Sequence, residues 1–166
     1  MHLYINQVAG GPNPNQAVVV ESKFPQSFGQ TAVSNWVMTD GAGPNAPNVG
    51  HAQGLHMEIS QTAVSSYYSS MNLVFEDTSR FRGSTLHVMG YIAQDGQWSI
   101  VGGTGELTMA RGVVEHRIFR EDTISRTYEL KIHALYAPMN SPTFPGALGC
   151  NSWKLGPSEV ETAMSA

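Results

Sequence analysis

Histidine is the residue type with the most obvious chemistry in this sequence, since six histidines accompany a single cysteine, Cys150. Imidazole and thiolate are the usual zinc ligands, and in structural sites they recur at characteristic short spacings. His51 and His56 are five residues apart, so on a β-strand they point to opposite faces. His87, His116 and His133 do not have a zinc-site spacing either. We therefore expect neither a metal site nor a cofactor.

A glycine-rich run, VGGTGELTMARG, lies at residues 101–112. Loops that bind nucleotide phosphates need a strand, a turn and a helix around their glycines, and this run lacks that context. The sequence also has no GxSxG element, so a nucleophilic hydrolase is not expected. By itself the run is typical of a bulged turn, in which Glu106 and Arg111 form an ordinary cross-strand pair.

The charge distribution excludes other classes of function. The net charge is −4, and the nine lysines and arginines are scattered singly along the 166 residues. No basic stripe covers several phosphates, so neither nucleic acid nor an anionic membrane is an expected partner. The N-terminal residues do not resemble a secretory leader, and one cysteine fits a reducing compartment. These features predict a cytoplasmic protein.

The elements that must position any functional group are predicted to be β-strands. Segments that alternate apolar and polar residues, or are rich in β-branched and aromatic residues, recur at regular spacing, a pattern typical of a sandwich or barrel. The segments are 2–9, 15–21, 30–38, 51–60, 67–76, 84–90, 97–102, 112–120 and 126–136. Turn sequences such as Arg82-Gly83 and Asp95-Gly96 separate them. The short connections predict antiparallel pairing of roughly eight strands.

Alternation also predicts which face of the last strand is buried. In TYELKIHALY, Tyr128, Leu130 and Ile132 share one face, and Glu129 and Lys131 share the other. Residues 1–137 are therefore expected to form one domain. Residues 138–166 contain several prolines and no sustained alternation, so we expect an irregular linker or tail.

Four segments, taken together, resemble the dirigent family of plants. They are LYINQVAGGPNPN, GHAQGLHMEIS, NLVFEDTSRFRGSTLHVMG and SIVGGTGELTMARGVVEH, and their order and spacing span residues 2–136. The chain is most similar to monocot members in which a dirigent domain precedes a jacalin-type lectin domain, because SWKLGP at residues 152–157 resembles the start of a jacalin domain. The resemblance implies an all-β fold, an eight-stranded antiparallel β-barrel of the allene-oxide-cyclase type, commonly trimeric, with a ligand pocket at one open end.

The resemblance also implies which residues line that pocket. The family's signature acid and arginine fall on Glu106 and Arg111, which would then be pocket residues instead of a cross-strand pair. A carboxylate pair of the lignan-forming members is replaced by Ser34-Asn35-Trp36, and two pocket tyrosines are replaced by His56 and Glu58. The expected ligand-binding set is Asn35, Trp36, His56, Glu58, Glu106 and Arg111.

Planar hydrogen-bonding groups beside an aromatic ring suit a sugar better than a radical. We therefore expect a non-catalytic, lectin-like domain that recognises a disaccharide in plant defence. The alternative is a dirigent protein that imposes stereoselectivity on the coupling of phenoxy radicals from monolignols to lignans. In that role the protein positions two radicals made by a separate oxidase, and pocket groups accept or donate a proton. A third hypothesis is a protein-interaction module.

Overall fold

The protein is described by a computed structural model that covers residues 1–137, apart from residues 63, 65 and 93. The strands are β1 (His2–Val8), β2 (Gln16–Val20), β3 (Thr31–Thr39), β4 (Asn48–Glu58), β5 (Tyr67–Phe75), β6 (Thr85–Ile92), β7 (Asp95–Thr104), β8 (Arg111–Glu121) and β9 (Ser125–Leu135). Short 3-10 turns occur at Pro25–Ser27 and Gly105–Leu107. In this described part, no helix is long and apolar enough to cross a membrane. Each predicted segment overlaps one of these strands, with ends that differ by up to three residues, and Asp95-Gly96, predicted as a turn, begins β7.

The strands form one closed antiparallel barrel. Neighbours follow the order β1-β9-β8-β7-β6-β5-β4-β3-β2, and β1 also pairs with β3. β1 pairs with the end of β3, with Ile5 opposite Met38, and β2 pairs with its beginning, with Gln16 opposite Ser34. β1 and β2 therefore share one position in the wall. The prediction of an eight-stranded antiparallel barrel is confirmed.

Asn15 joins β1 and β2 into one interrupted strand. Its Oδ1 accepts a hydrogen bond from the Val8 amide at 2.8 Å, and its Nδ2 donates to the Asn6 carbonyl at 2.8 Å. An asparagine side chain can replace a strand's own backbone groups in this way. As a result, Gln7 and Gln16 lie side by side although eight residues separate them.

Inward-facing side chains from all walls fill the barrel. The largest fully buried ones include Trp36, Trp98, Tyr128, Leu73 and Leu86. A fully buried side chain of this kind contributes about 1.5–3 kcal/mol to stability. Buried apolar side chains fill the end of the barrel where β5 and β7 end. They are Phe75, Phe81, Leu107 and Ala110. The other end is where a molecule can enter.

The predicted faces of β9 are confirmed with one exception. Tyr128, Leu130 and Ile132 are buried, and Lys131 is exposed. Glu129, on the outer face, is nevertheless only 6% exposed. Arg117 Nε donates to one of its oxygens, and His2 Nε2 lies 2.6 Å from the other. The hydrogen bond from Arg117 is the main reason that the pKa of Glu129 lies below its usual value.

Candidate functional site

A pocket of about 380 Å³ occupies the open end of the barrel, where β1 and β6 end and β3, β5 and β9 begin. We call it the mouth pocket. Its lining residues are Gln7, Gln16, Val18, Gln30, Ala32, His56, Tyr67, Ile92, Arg126 and Tyr128. Half of these residues are glutamine, histidine or arginine and half are aromatic or aliphatic, so the pocket is more polar than most small-molecule sites but concave like them.

Aromatic rings form the inner wall of the mouth pocket. Trp36 is fully buried and lies between His56 and Tyr128, with ring centroids 5.5 Å and 6.1 Å away. The Trp36 and Tyr128 rings are stacked at an angle of 20°. Tyr67 presents its edge to His56 at 5.8 Å. Trp36 has no exposed surface, so the rings that another aromatic molecule could contact are those of the lining residues His56, Tyr67 and Tyr128.

His56 is the titratable group best placed for proton transfer near neutral pH. It is only 6% exposed, and its Nδ1 lies 3.0 Å from Ser34 Oγ, which leaves Nε2 for a ligand. Burial lowers the pKa of His56 below 6.5, so the imidazole is neutral at pH 7 and can accept a proton. Burial, and secondarily the charge of Glu58, raises the pKa of Tyr67, whose hydroxyl stays protonated.

Arg126 and Tyr128 supply a second polar group on the opposite wall. Arg126 Nε donates to Glu121 Oε1 at 2.8 Å, and Arg126 Nη1 donates to the Tyr128 hydroxyl oxygen at 3.1 Å. Burial raises the pKa of Tyr128, and the hydrogen bond from Arg126 partly opposes that change. The hydroxyl therefore stays protonated, and because its oxygen already accepts, its hydrogen can be donated to a ligand.

The structure brings only part of the predicted set together. His56 lines the mouth pocket, whereas Trp36 is fully buried behind the His56 ring and is not among the lining residues. Glu58 is buried beside the pocket, where its Oε1 accepts from the amides of Ser60 and Ser66, both at 2.9 Å. It therefore anchors the loop between β4 and β5, and it is not among the lining residues.

Asn35 points away from the barrel interior. It is exposed, and its Oδ1 accepts from Gln53 Nε2 at 3.0 Å on the outer surface. The physical reason is strand geometry, because neighbouring residues of a strand face opposite sides and Trp36 already faces inward. The expectation that both residues line one pocket is not compatible with this geometry.

Glu106 and Arg111 lie at the opposite end of the barrel from the mouth pocket. Glu106 is in the 3-10 turn after β7, and Arg111 begins β8. Both are exposed, and Arg111 Nη1 donates to the Val101 carbonyl at 3.2 Å. No ion pair joins the two side chains in the part of the chain that the structure describes, so the cross-strand pair is not formed either. Their role in ligand binding stays a prediction.

Sequence reasoning missed several residues of the mouth pocket. Gln7, Gln16 and Gln30 come from strand ends, where alternation says little about burial. Arg126 had a usable signal, because it lies two residues before Tyr128 and therefore on the same inward face of β9.

A second concavity of about 430 Å³ lies on the outer surface over β7, β8 and β9. Its charged lining includes Glu129, which Arg117 already binds. We therefore take the mouth pocket, inside the barrel, as the candidate site.

Known proteins are similar to this chain in sequence and in fold. A pterocarpan synthase of Glycyrrhiza echinata is 31% identical over 130 residues, which cover 74% of this chain and 68% of the relative. Dirigent protein 1 of Arabidopsis thaliana is 31% identical over 121 residues, covering 68% and 64%. The solved structure of a pterocarpan synthase dirigent protein superposes with a TM-score of 0.73 at 29% identity, covering 82% of this chain and 93% of that one.

These matches correct one prediction. We expected a non-catalytic domain, but relatives with the same fold and about 30% identity are named as synthases. The expectation that this chain is not an enzyme is therefore wrong. A dirigent fold does not by itself imply a purely binding role.

The model of one family matches residues 1–135, which span the entire described barrel. Its description is "Dirigent-like protein". The match does not extend to a jacalin domain, and the residues that suggested one, 152–157, lie outside those the structure describes. The chain belongs to the dirigent-like protein family.

Proposed function

We propose that this chain is a dirigent protein that binds a phenolic intermediate in the mouth pocket and directs the stereochemistry of the bond that forms next. The observation that carries the proposal is the set of aromatic rings that line the mouth pocket, those of His56, Tyr67 and Tyr128, against which a flat phenolic ring can pack. The dirigent proteins and pterocarpan synthases among its relatives support the same class of function.

The polar groups of the mouth pocket would assist by moving and holding protons. Closing a ring onto a quinone-methide intermediate removes a proton from the attacking hydroxyl and adds one to the quinone-methide oxygen, with no net oxidation. Neutral His56 would accept the first proton, while the Tyr128 hydroxyl would donate a hydrogen bond to the oxygen that gains charge. No carboxylate is among the lining residues that the structure describes, so His56 would replace the acid–base carboxylate expected from the family.

The first test measures binding. Coniferyl alcohol should cause saturable chemical-shift changes in NMR spectra of the protein, at Tyr67 and His56. A panel of disaccharides should cause none. Saturation by a disaccharide and a flat response to phenolics would contradict the proposal.

The second test measures stereochemistry. The protein is added to laccase and coniferyl alcohol, and the enantiomers of the coupled product are separated. We expect an enantiomeric excess that increases with protein concentration and falls in His56→Gln, whereas His133→Gln, an exposed outer-face control, should match the unmodified protein. A racemic product at stoichiometric protein would contradict the coupling role.

Carbohydrate recognition is the second candidate. Three glutamines, Gln7, Gln16 and Gln30, line the mouth pocket, and planar amides hydrogen-bond well to hydroxyl-rich ligands. The disaccharide panel tests this candidate directly. A trimer, a linked jacalin domain, a role in plant defence and a cytoplasmic location stay predictions.

A further inference from the structure

Gln16 has an amide orientation that a neighbouring residue dictates. Trp36 Nε1 lies 3.0 Å from Gln16 Oε1. An indole N–H can only donate, so the side of the Gln16 amide that faces it must be the carbonyl oxygen. Trp36 is fully buried, so leaving its N–H unpaired would destabilise the fold. The opposite orientation of Gln16 is therefore excluded.

The orientation of Gln7 follows from that of Gln16. Gln7 Nε2 lies 2.8 Å from the same Gln16 Oε1 and must donate to it. Two groups are left over, the Nε2 of Gln16, which is a donor, and the Oε1 of Gln7, which is an acceptor. In the described residues neither atom has another hydrogen-bond partner, and both glutamines line the mouth pocket.

We infer that Gln7 and Gln16 determine specificity by binding a ligand hydroxyl that donates to Gln7 Oε1 while it accepts from Gln16 Nε2. The inference rests on the proposed function only in placing the ligand in the mouth pocket. A hydroxyl satisfies both amide groups at once, whereas a methyl ether can only accept and leaves Gln7 Oε1 unpaired. Phenols and sugars both carry such a hydroxyl, so the experiment has one arm for each.

The phenolic arm compares coniferyl alcohol with its 4-O-methyl ether by calorimetry. The protein should bind the phenol about tenfold or more tightly than the ether, because sites built to hydrogen-bond a hydroxyl reject analogues that lack it. The sugar arm compares a disaccharide with its permethylated derivative. The measured quantity is the ratio of the two dissociation constants within an arm, which a general loss of stability does not change.

Two variants should change this ratio in opposite directions. Gln7→Met removes the acceptor with little change in shape, so the preference for the hydroxyl should fall to near one. Gln16→Glu keeps an oxygen for Trp36 and Gln7 but removes the donor to the ligand. The ether oxygen of the methylated ligand then faces acceptors only, whereas the hydroxyl can still donate to Gln7 Oε1. The preference for the hydroxyl over the ether should therefore increase severalfold. Gln53→Met changes an exposed glutamine on the outer surface of the barrel; it is the matched control and should leave the ratio unchanged.

The outcomes separate this inference from the proposed function. If coniferyl alcohol binds but the ratio is near one, or is the same in Gln7→Met as in the unmodified protein, the inference is overturned and the proposed function stands. If only the disaccharide binds and its ratio follows the variants, the proposed function fails and the inference stands. If neither ligand class binds, both fail.

Discussion

At the scale of single residues, two buried histidines are the most informative groups. His56 lies in the mouth pocket, and His116 is stacked on Trp98 at 4.3 Å with Nε2 3.2 Å from the Tyr91 carbonyl oxygen. Burial lowers the pKa of both imidazoles below 6.5. The protein thus keeps two neutral histidines inside an apolar barrel.

These pKa values predict how stability depends on pH. The unfolded chain takes up protons on its histidines as the pH falls through 6.5, but the folded chain resists this uptake at His56 and His116. The free energy of unfolding should therefore decrease from pH 7.5 to pH 5.5, by at most about 1.4 kcal/mol per pH unit for each histidine. Urea denaturation at pH 7.5, 6.5 and 5.5 measures this dependence.

The control for the pH prediction is a pair of variants. His116→Phe keeps a ring against Trp98 but cannot titrate, so the decrease in stability should become smaller. His133→Gln changes a largely exposed histidine and should leave the dependence unaltered. Stability that stays constant over this pH range in the unmodified protein would show that folding does not lower the pKa of either buried imidazole.

At the scale of the elements, close contact between neighbouring strands decides which residues are allowed. Gly54 lies in the middle of β4, opposite Met71 of β5. A Cβ on Gly54 would lie 2.1 Å from the Ser70 carbonyl oxygen and 2.7 Å from Met71 Cα. Both atoms belong to backbone that cannot move aside without disturbing the barrel wall. The glycine of the AQG segment is thus required by the approach of β5.

We accordingly expect Gly54→Ala to lower the free energy of unfolding by more than about 2 kcal/mol, since overpacking against fixed backbone is costly. Gly43→Ala is the matched control, because a Cβ there meets no atom within 4 Å, and its effect should stay within about 0.5 kcal/mol. Chemical denaturation of the two variants provides the comparison. Equal stabilities would mean that β4 and β5 are further apart than described.

At the scale of the whole molecule, the barrel closes within the described residues. β1 and β9 pair from His2 opposite Lys131 to Val8 opposite Ser125. Near the end of the described residues, the Ala137 amide donates a hydrogen bond to the Thr108 carbonyl at 3.1 Å. Within the described residues, every strand is paired on both sides except β2, which pairs only with β3.

This closure predicts that residues 1–137 fold alone. The fragment should have a melting temperature within about 3 °C of the full chain and bind the same ligands, because no wall of the barrel is missing. A fragment of residues 1–124, which lacks β9, should not fold, since it would leave the edges of β1 and β8 unpaired. Circular dichroism melting curves test both. Failure of the 1–137 fragment to fold would show that later residues belong to the domain.

Local sequence pattern was sufficient to predict the class of fold, the family and the buried face of β9. Those properties follow from local alternation and turn residues, as in the confirmed inward face of Tyr128, Leu130 and Ile132. Alternation also explains why Asn35 and Trp36 cannot line the same pocket, because neighbouring residues of a strand face opposite sides.

The position of the mouth pocket, and the polar groups that meet in it, depend on the tertiary structure. Gln7, Gln16, Trp36 and Arg126 come from four different strands, and their contact depends on the register with which the barrel closes. Glu106 and Arg111 were placed with the pocket by motif alone, but strand direction carries them to the opposite end. Local sequence specifies the face of a strand, whereas long-range pairing specifies which strand ends converge around the open mouth.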